Sequence, residues 1–246
     1  MYNPDSQRLY FSDLINARDL GGMPLSGGTK EFVRGRFIRC GSPSIGSPDI
    51  APLLRDYGVK TVIDLRSKSE VLHYGNPFKD DGVTDFMNIP LFVGDPDAKT
   101  DPTMLFLRDH RLGDFYVIML EELKEAVAQV MRVFIRKDEG IILFHCAHGK
   151  DRTGVIAALL YMLAGADKED IITNYKVSYE YAKAFLDPLI AVKEEAMRHT
   201  LRSDEINMRI MLDYMDKEYG GDVRRYLRSA GLSDEELDAL YKRCIS

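Results

Sequence analysis

Two residues, Cys146 and Arg152, stand at the ends of a short loop in the stretch IILFHCAHGKDRTG, residues 141–154. An apolar run leads into the loop, and the apolar segment VIAALLYML follows it. A loop between a buried strand and a buried helix can turn its backbone N–H groups inward as an anion nest, reinforced by the helix N-terminus. A thiol at the base of such a nest ionises readily. Comparable sites bring a cysteine from about 8.5 into roughly the 3.5–7.5 range. Arg152 offers a planar fork that matches two phosphate oxygens. Gly149 lets the backbone approach closely. Ala147, His148, Gly149, Lys150 and Asp151 complete the cradle, and the Thr153 hydroxyl is spaced to hydrogen-bond the sulfur. These parts suit in-line attack of sulfur on a phosphoryl group, with charge spread over equatorial oxygens, followed by hydrolysis of a phosphocysteine.

Other chemistries fit these residues less well. His145, Cys146 and His148 are crowded on one tight loop and no second ligand cluster accompanies them, which disfavours a metal centre. A sulfur-transfer or redox loop does not need the arginine, the threonine or the Lys-Asp insert. A leaving group needs a proton donor, a contribution of typically about 10²–10⁴-fold. The candidates are Asp151, inside the loop, and Asp95 or Asp97, in the segment GDPDAKTDP after the strand IPLF.

Strands and helices alternate through the first two-thirds of the chain. Ser47-Pro48-Asp49 reads as a helix start, and Gly58 as its stop. VKTVIDL (59–65) is a β-branched strand, and FMNIPLF (86–92) a second. Apolar residues at 117, 120, 123, 127, 130, 131 and 134 predict one long helix over 115–137, opened by Gly113-Asp114 and broken by Glu139-Gly140. The strand 141–146, the loop and a helix over 152–163 follow. The expected fold is one α/β domain over 1–246, a mostly parallel sheet flanked by helices, with a helical C-terminal part. Ser233-Asp234-Glu235-Glu236 is a capping box opening the last helix. The charged, methionine-rich segment 180–218 is either a set of surface helices or a helical cover over the site. Asp64 ends its strand at the carboxyl edge of the sheet, where sites of open α/β folds form; it either serves the pocket or pairs with Arg66 or Arg18.

The chain has 246 residues, 45% apolar and 29% charged, with a net charge of −6. That balance argues against nucleic acid as a partner. No run of about 18 apolar residues predicts a membrane-spanning helix. The stretch MYNPDSQRLYFSDL lacks the pattern of a signal peptide, so a cytoplasmic location is the expectation, with a signal-less export route as its alternative. Three scattered cysteines, Cys40, Cys146 and Cys244, make no disulfide framework. A disulfide shielding Cys146 would need one of the other two beside it.

HCAHGKDRTG carries the Cys-x5-Arg signature, and its Lys-Asp-Arg-Thr-Gly ending resembles the atypical bacterial tyrosine and lipid phosphatases, a family that includes mycobacterial protein tyrosine phosphatase B. NARDLGG (16–22), GRFIRCGSP (35–43), VKTVIDLRSKSE (59–70) and GGDVRRYLRSAGLSDEEL (220–237) are similar to further segments of that family, so the resemblance spans nearly the whole chain. It implies the tyrosine phosphatase-like fold and a cofactor-free, metal-independent phosphomonoester hydrolase. It also implies phosphotyrosine protein as substrate, with phosphoinositide as the alternative. In relatives the loop aspartate, here Asp151, is the acid, His145 supports the loop, and the aspartate matching Asp64 lies at the pocket. Lys150 matches the lysine behind the likeness to phosphoinositide phosphatases.

Overall fold

The structure, a computed structural model, describes residues 2–46, 49–136 and 140–245. β1 (Arg18–Asp19) pairs antiparallel with β2 (Phe37–Cys40), placing Arg18 opposite Arg39. α1 (Ile50–Asp56) leads into β3 (Val59–Asp64). The helix start expected at Ser47-Pro48 lies outside the described residues. α2 (Lys68–Tyr74) opens on a capping box: the Ser67 hydroxyl accepts from the Glu70 backbone, and the Glu70 carboxylate accepts from Ser67 N–H. β4 is only Asp85–Asn88, shorter than the expected 86–92. Pro90 stands just beyond it and has no N–H to donate to a ladder.

After α3 (Pro102–Phe106), the single helix expected over 115–137 is two, α4 (Leu112–Glu122) and α5 (Lys124–Ile135). They meet at Leu123, whose φ of −114° and ψ of 30° are not helical. The break turns the two apolar faces to different partners. α4 packs on α8 (Glu205–Tyr219), and α5 packs on α10 (Asp234–Ile245). Of the expected Glu139-Gly140 break, Glu139 lies outside the described residues.

β5 (Ile141–His145) is buried along its whole length and sits at the centre of a five-stranded sheet of order β1-β2-β5-β3-β4. Only β1 runs antiparallel. Helix α6 (Arg152–Ala164) follows β5 after six residues and is buried almost all round, as a central helix apolar on every face must be. α7 (Lys168–Val192), a 3₁₀ segment (Glu195–Leu201), α8, α9 (Val223–Ser229) and α10 form the helical C-terminal part. The expected capping box at Ser233 is present, with Ser233 N–H on Glu236 and Glu236 N–H on the Ser233 hydroxyl. No helix among the described residues is long and apolar enough to cross a membrane.

Along β5, Ile142 and Phe144 join the core under α5 and α6, while Ile141 and Leu143 join a second core under α1. Cys146 belongs to the first cluster and Cys40 to the second, on the opposite face of the sheet. All three cysteines are free, so no disulfide shields Cys146.

Candidate active site

The loop leaves the carboxyl end of the central strand, and its carbonyls are tied away from Cys146 one after another. His145 O accepts from Leu65 N–H at 2.8 Å, and Ala147 O from Ser42 N–H at 2.8 Å. Cys146 O accepts from His145 Nδ1 at 3.1 Å. His148 O accepts from Asn16 Nδ2 at 3.1 Å. Gly149 O accepts from both Asn16 Nδ2 (2.9 Å) and Arg39 Nη2 (2.8 Å). The N–H groups of Ala147 through Asp151 donate to no protein atom among the described residues. Five donors without acceptors around one loop, next to the start of a 13-residue helix, form an anion cradle. Gly149 is required in it: its φ is +65°, and a Cβ there would lie 2.2 Å from Cys40 O.

Cys146 is 1% exposed at the base of this cradle. Arg152, the first residue of α6, is clamped by Glu70 of α2, with Nη1 to Oε2 at 2.6 Å and Nη2 to Oε1 at 2.9 Å. End-on pairing leaves the Nε edge of the fork for a phosphoryl group. The Phe92 ring lies 5.9 Å from the guanidinium. Burial works against both charges, but each offsets that for the other: Glu70 is held below the usual carboxylate range, and Arg152 is raised. Glu70 escaped the sequence analysis. Its one local signal was the Ser-x-x-Glu capping box, which gives no hint of an arginine 82 positions away.

Asp151 sits at the mouth with its side chain 19% exposed. Its Oδ1 accepts from Tyr116 Oη of α4 at 2.5 Å and from Lys150 Nζ at 2.6 Å. The Tyr116 hydroxyl also shares a 2.7 Å bond with Tyr175 of α7. Burial, then the charge of Asp151, raise Tyr116 well above the ordinary phenol range, so it stays a donor. The Lys150 side chain is fully buried, with Nζ on Asp151 and on the Thr200 carbonyl of the 3₁₀ segment (3.1 Å). The His148 ring packs 5.9 Å from Phe185 of α7; burial, then Lys150, push it down to about 4, so it is neutral at pH 7. These contacts place part of the 180–218 segment directly against the loop.

Asp95 and Asp97 lie in an exposed loop and serve it: Asp95 Oδ1 accepts Asp97 N–H, and Asp97 accepts the Tyr74 hydroxyl. The Thr153 hydroxyl is buried and has no hydrogen-bond partner, so the expected bond to sulfur is not made.

Asp64 is placed differently from the pocket-facing aspartate that the resemblance implies. It is fully buried, its two oxygens accepting from Arg66 at 2.7–3.1 Å and from Asn76 at 2.9 Å. Saturated in this way, it supports the loop from behind. Asn76 Nδ2 in turn donates to His145 Nε2 at 3.0 Å, and His145 Nδ1 donates to Cys146 O. Burial lowers His145, in keeping with this neutral ring. Burial opposes the Asp64 charge too, but His145, once it takes up a proton in acid, and the Arg66 contacts bring it down to about 2. The stabilisation this gives is complete above the ordinary aspartate value near 4. It fades as pH falls from about 4 to 2, and is worth about 2 kcal/mol. Asp64→Asn leaves Arg66 without its counter-charge and should cost roughly 3–5 kcal/mol at pH 7. It should also remove that acid-side decline, read by urea unfolding at pH 7 and pH 3.

A protein of Nostoc commune named tyrosine-protein phosphatase is 31% identical over 201 residues, which cover 76% of this chain and 66% of that protein. One of Cupriavidus necator, provisionally given the same name, is 28% identical over 250 residues, 90% of this chain and 83% of that protein. The solved structure of P. aeruginosa TpbA is 17% identical, with a TM-score of 0.36 over 80% of this chain and 87% of that one. Residues 9–246 match the tyrosine phosphatase family, and with the cradle, the cysteine and the clamped arginine in place, the chain belongs to that family.

Proposed function

We propose that this protein is a protein-tyrosine phosphatase working through phosphocysteine, of the atypical bacterial branch, as one domain over 1–246 with residues of the 180–218 segment covering its site. The observation that carries the reading is the ring of unbonded N–H groups around Cys146, closed by an arginine whose fork is fixed by Glu70. Cys146 Sγ attacks phosphorus in line while the cradle N–H groups and Arg152 hold the three equatorial oxygens. The bond from phosphorus to the phenolic oxygen breaks, and Asp151 Oδ2 delivers the proton to that oxygen. Asp151, now ionised, takes a proton from water as the water attacks the phosphocysteine. Phosphate leaves and the thiolate is restored. Positive charge comes from Arg152 and the loop, so the reaction requires no metal.

Phosphotyrosine is favoured over phosphoinositide because Lys150 is committed to Asp151 and Thr200 rather than open to further headgroup phosphates. The test is single turnover of a phosphotyrosine peptide and a phosphoinositide panel with chelator present, quenched in acid to trap a thiophosphate ester on Cys146. Trapping from the peptide supports the proposal. Faster turnover of a lipid would transfer the substrate assignment, and phosphate release without a trapped cysteine adduct would sink the mechanism.

Tyr116→Phe tests the acid. Without its hydroxyl, Asp151 loses one of the two bonds on Oδ1. The loss in kcat/KM should be about tenfold for phenyl phosphate, a fraction of the full acid contribution. It should be less than about twofold for 4-nitrophenyl phosphate, whose leaving group needs no proton. Equal losses on both substrates would remove Asp151 from the acid role.

A further inference from the structure

Arg18 and Arg39 are 0% and 1% exposed, and neither contacts a carboxylate among the described residues. Arg18 donates to the Asn174 carbonyl at 2.5 Å and to the Ser178 hydroxyl at 2.7 Å. Arg39 donates to Asn174 Oδ1 at 2.9 Å and to Gly149 O at 2.8 Å. Both Nε–H groups have no partner. The other buried cations near the loop each have a carboxylate: Arg66 has Asp64, Arg152 has Glu70 and Lys150 has Asp151. Two buried guanidinium groups on neutral acceptors are costly, and an anion bound nearby would offset that cost. Burial, then the Arg18 charge, lower Arg39 only to about 9, so it remains charged at neutral pH.

Their placement names the anion. Arg39 stands in register with Phe144 on β5, two residues before Cys146, and its Nη2 ends on the loop itself. Asn16 binds the same Gly149 carbonyl, and His148 O as well, from a backbone with φ of 56°, unusual for a residue with a Cβ. A peptide carbonyl drawn to one side sends the next N–H to the other. Holding His148 O and Gly149 O therefore aims the N–H groups of Gly149 and Lys150 into the cradle.

We propose that Arg39 and Asn16 are positioning residues of the phosphate cradle: together they hold two loop carbonyls outward, and Arg39, backed by Arg18, adds unpaired positive charge behind the bound oxyanion. This rests on the phosphatase reading and names residues that touch neither substrate nor reacting atoms.

Calorimetric titration with tungstate, an unreactive phosphate mimic, reads the cradle without catalysis. Arg39→Met should weaken tungstate binding at least tenfold in protein that still unfolds cooperatively. Arg39→Lys should recover part of the loss by restoring charge. Asn16→Gly, which keeps the positive φ, should weaken binding severalfold. A purely structural role would lower the unfolding midpoint and leave the affinity of the folded protein alone. Folded Arg39→Met that binds tungstate within twofold of wild type would overturn the proposal. Should Arg39→Met not fold, unchanged affinity in both Arg39→Lys and Asn16→Gly would overturn it. Wild type that binds no tungstate would bring down the phosphatase reading and this one with it; variants that match a wild type that does bind would sink this one alone.

Discussion

Cys146→Ser should release phosphate from a phosphotyrosine peptide at least about 10⁴-fold more slowly than wild type, as removal of a covalent nucleophile does elsewhere. A serine hydroxyl attacks only if a base takes its proton, and in that step the proposed mechanism holds Asp151 protonated for the leaving group. The adjacent imidazole, His145, spends Nδ1 on the Cys146 carbonyl and Nε2 on Asn76. The thiol needs no base, because its ionised form is the nucleophile. The variant should still bind tungstate, since every carbonyl tie and every free N–H belongs to the backbone or to other residues. The loss should thus fall on kcat, measured against an affinity that holds. Phosphate release within tenfold of wild type would refute the phosphocysteine route.

Arg152→Lys carries the second large expected effect, a fall of about 10³-fold or more in kcat/KM, the scale of a lost charge clamp on a transferring phosphoryl group. Lysine keeps the charge but is one point where the guanidinium is a two-edged plate. One edge of Arg152 is occupied by Glu70, which leaves the other for a phosphoryl group. An ammonium group cannot satisfy both oxygens of Glu70 and still hold two phosphate oxygens. Glu70→Gln separates the two jobs. It keeps Arg152 but loosens it, so activity should fall about 10–100-fold, and stability should drop by roughly 3 kcal/mol as a buried charge loses its partner. If Arg152→Lys retains a tenth of wild-type activity, the arginine is not the transition-state clamp.

The candidate loop was readable in the sequence because its residues lie within seven positions of one another. A cysteine, a glycine and an arginine at this spacing, between an apolar strand and an apolar helix, already constrain what the backbone between them does. The mostly parallel sheet, the buried strand before the loop and the capping box at Ser233 were equally local, set by β-branched runs, periodicity and caps. The single helix over 115–137 was misjudged for the same reason. Its apolar spacing continues through Leu123, and only the separate partners α8 and α10 reveal that the two halves face apart.

Legible in the chain alone, therefore, were the family, the loop between strand and helix with Cys146 and Arg152 at its ends, and the kind of fold that presents it. Tertiary structure decided what holds them. Glu70, Asn16, Arg39 and Tyr116 reach the loop from segments 35 to 133 positions away. It also decided that Asp64, rightly expected at the carboxyl end of its strand, is buried against Arg66 behind the loop instead of facing substrate. The physical reason is that hydrogen bonds and ion pairs between distant segments leave no periodicity in the chain. They exist only once burial has removed the water that would otherwise satisfy those groups.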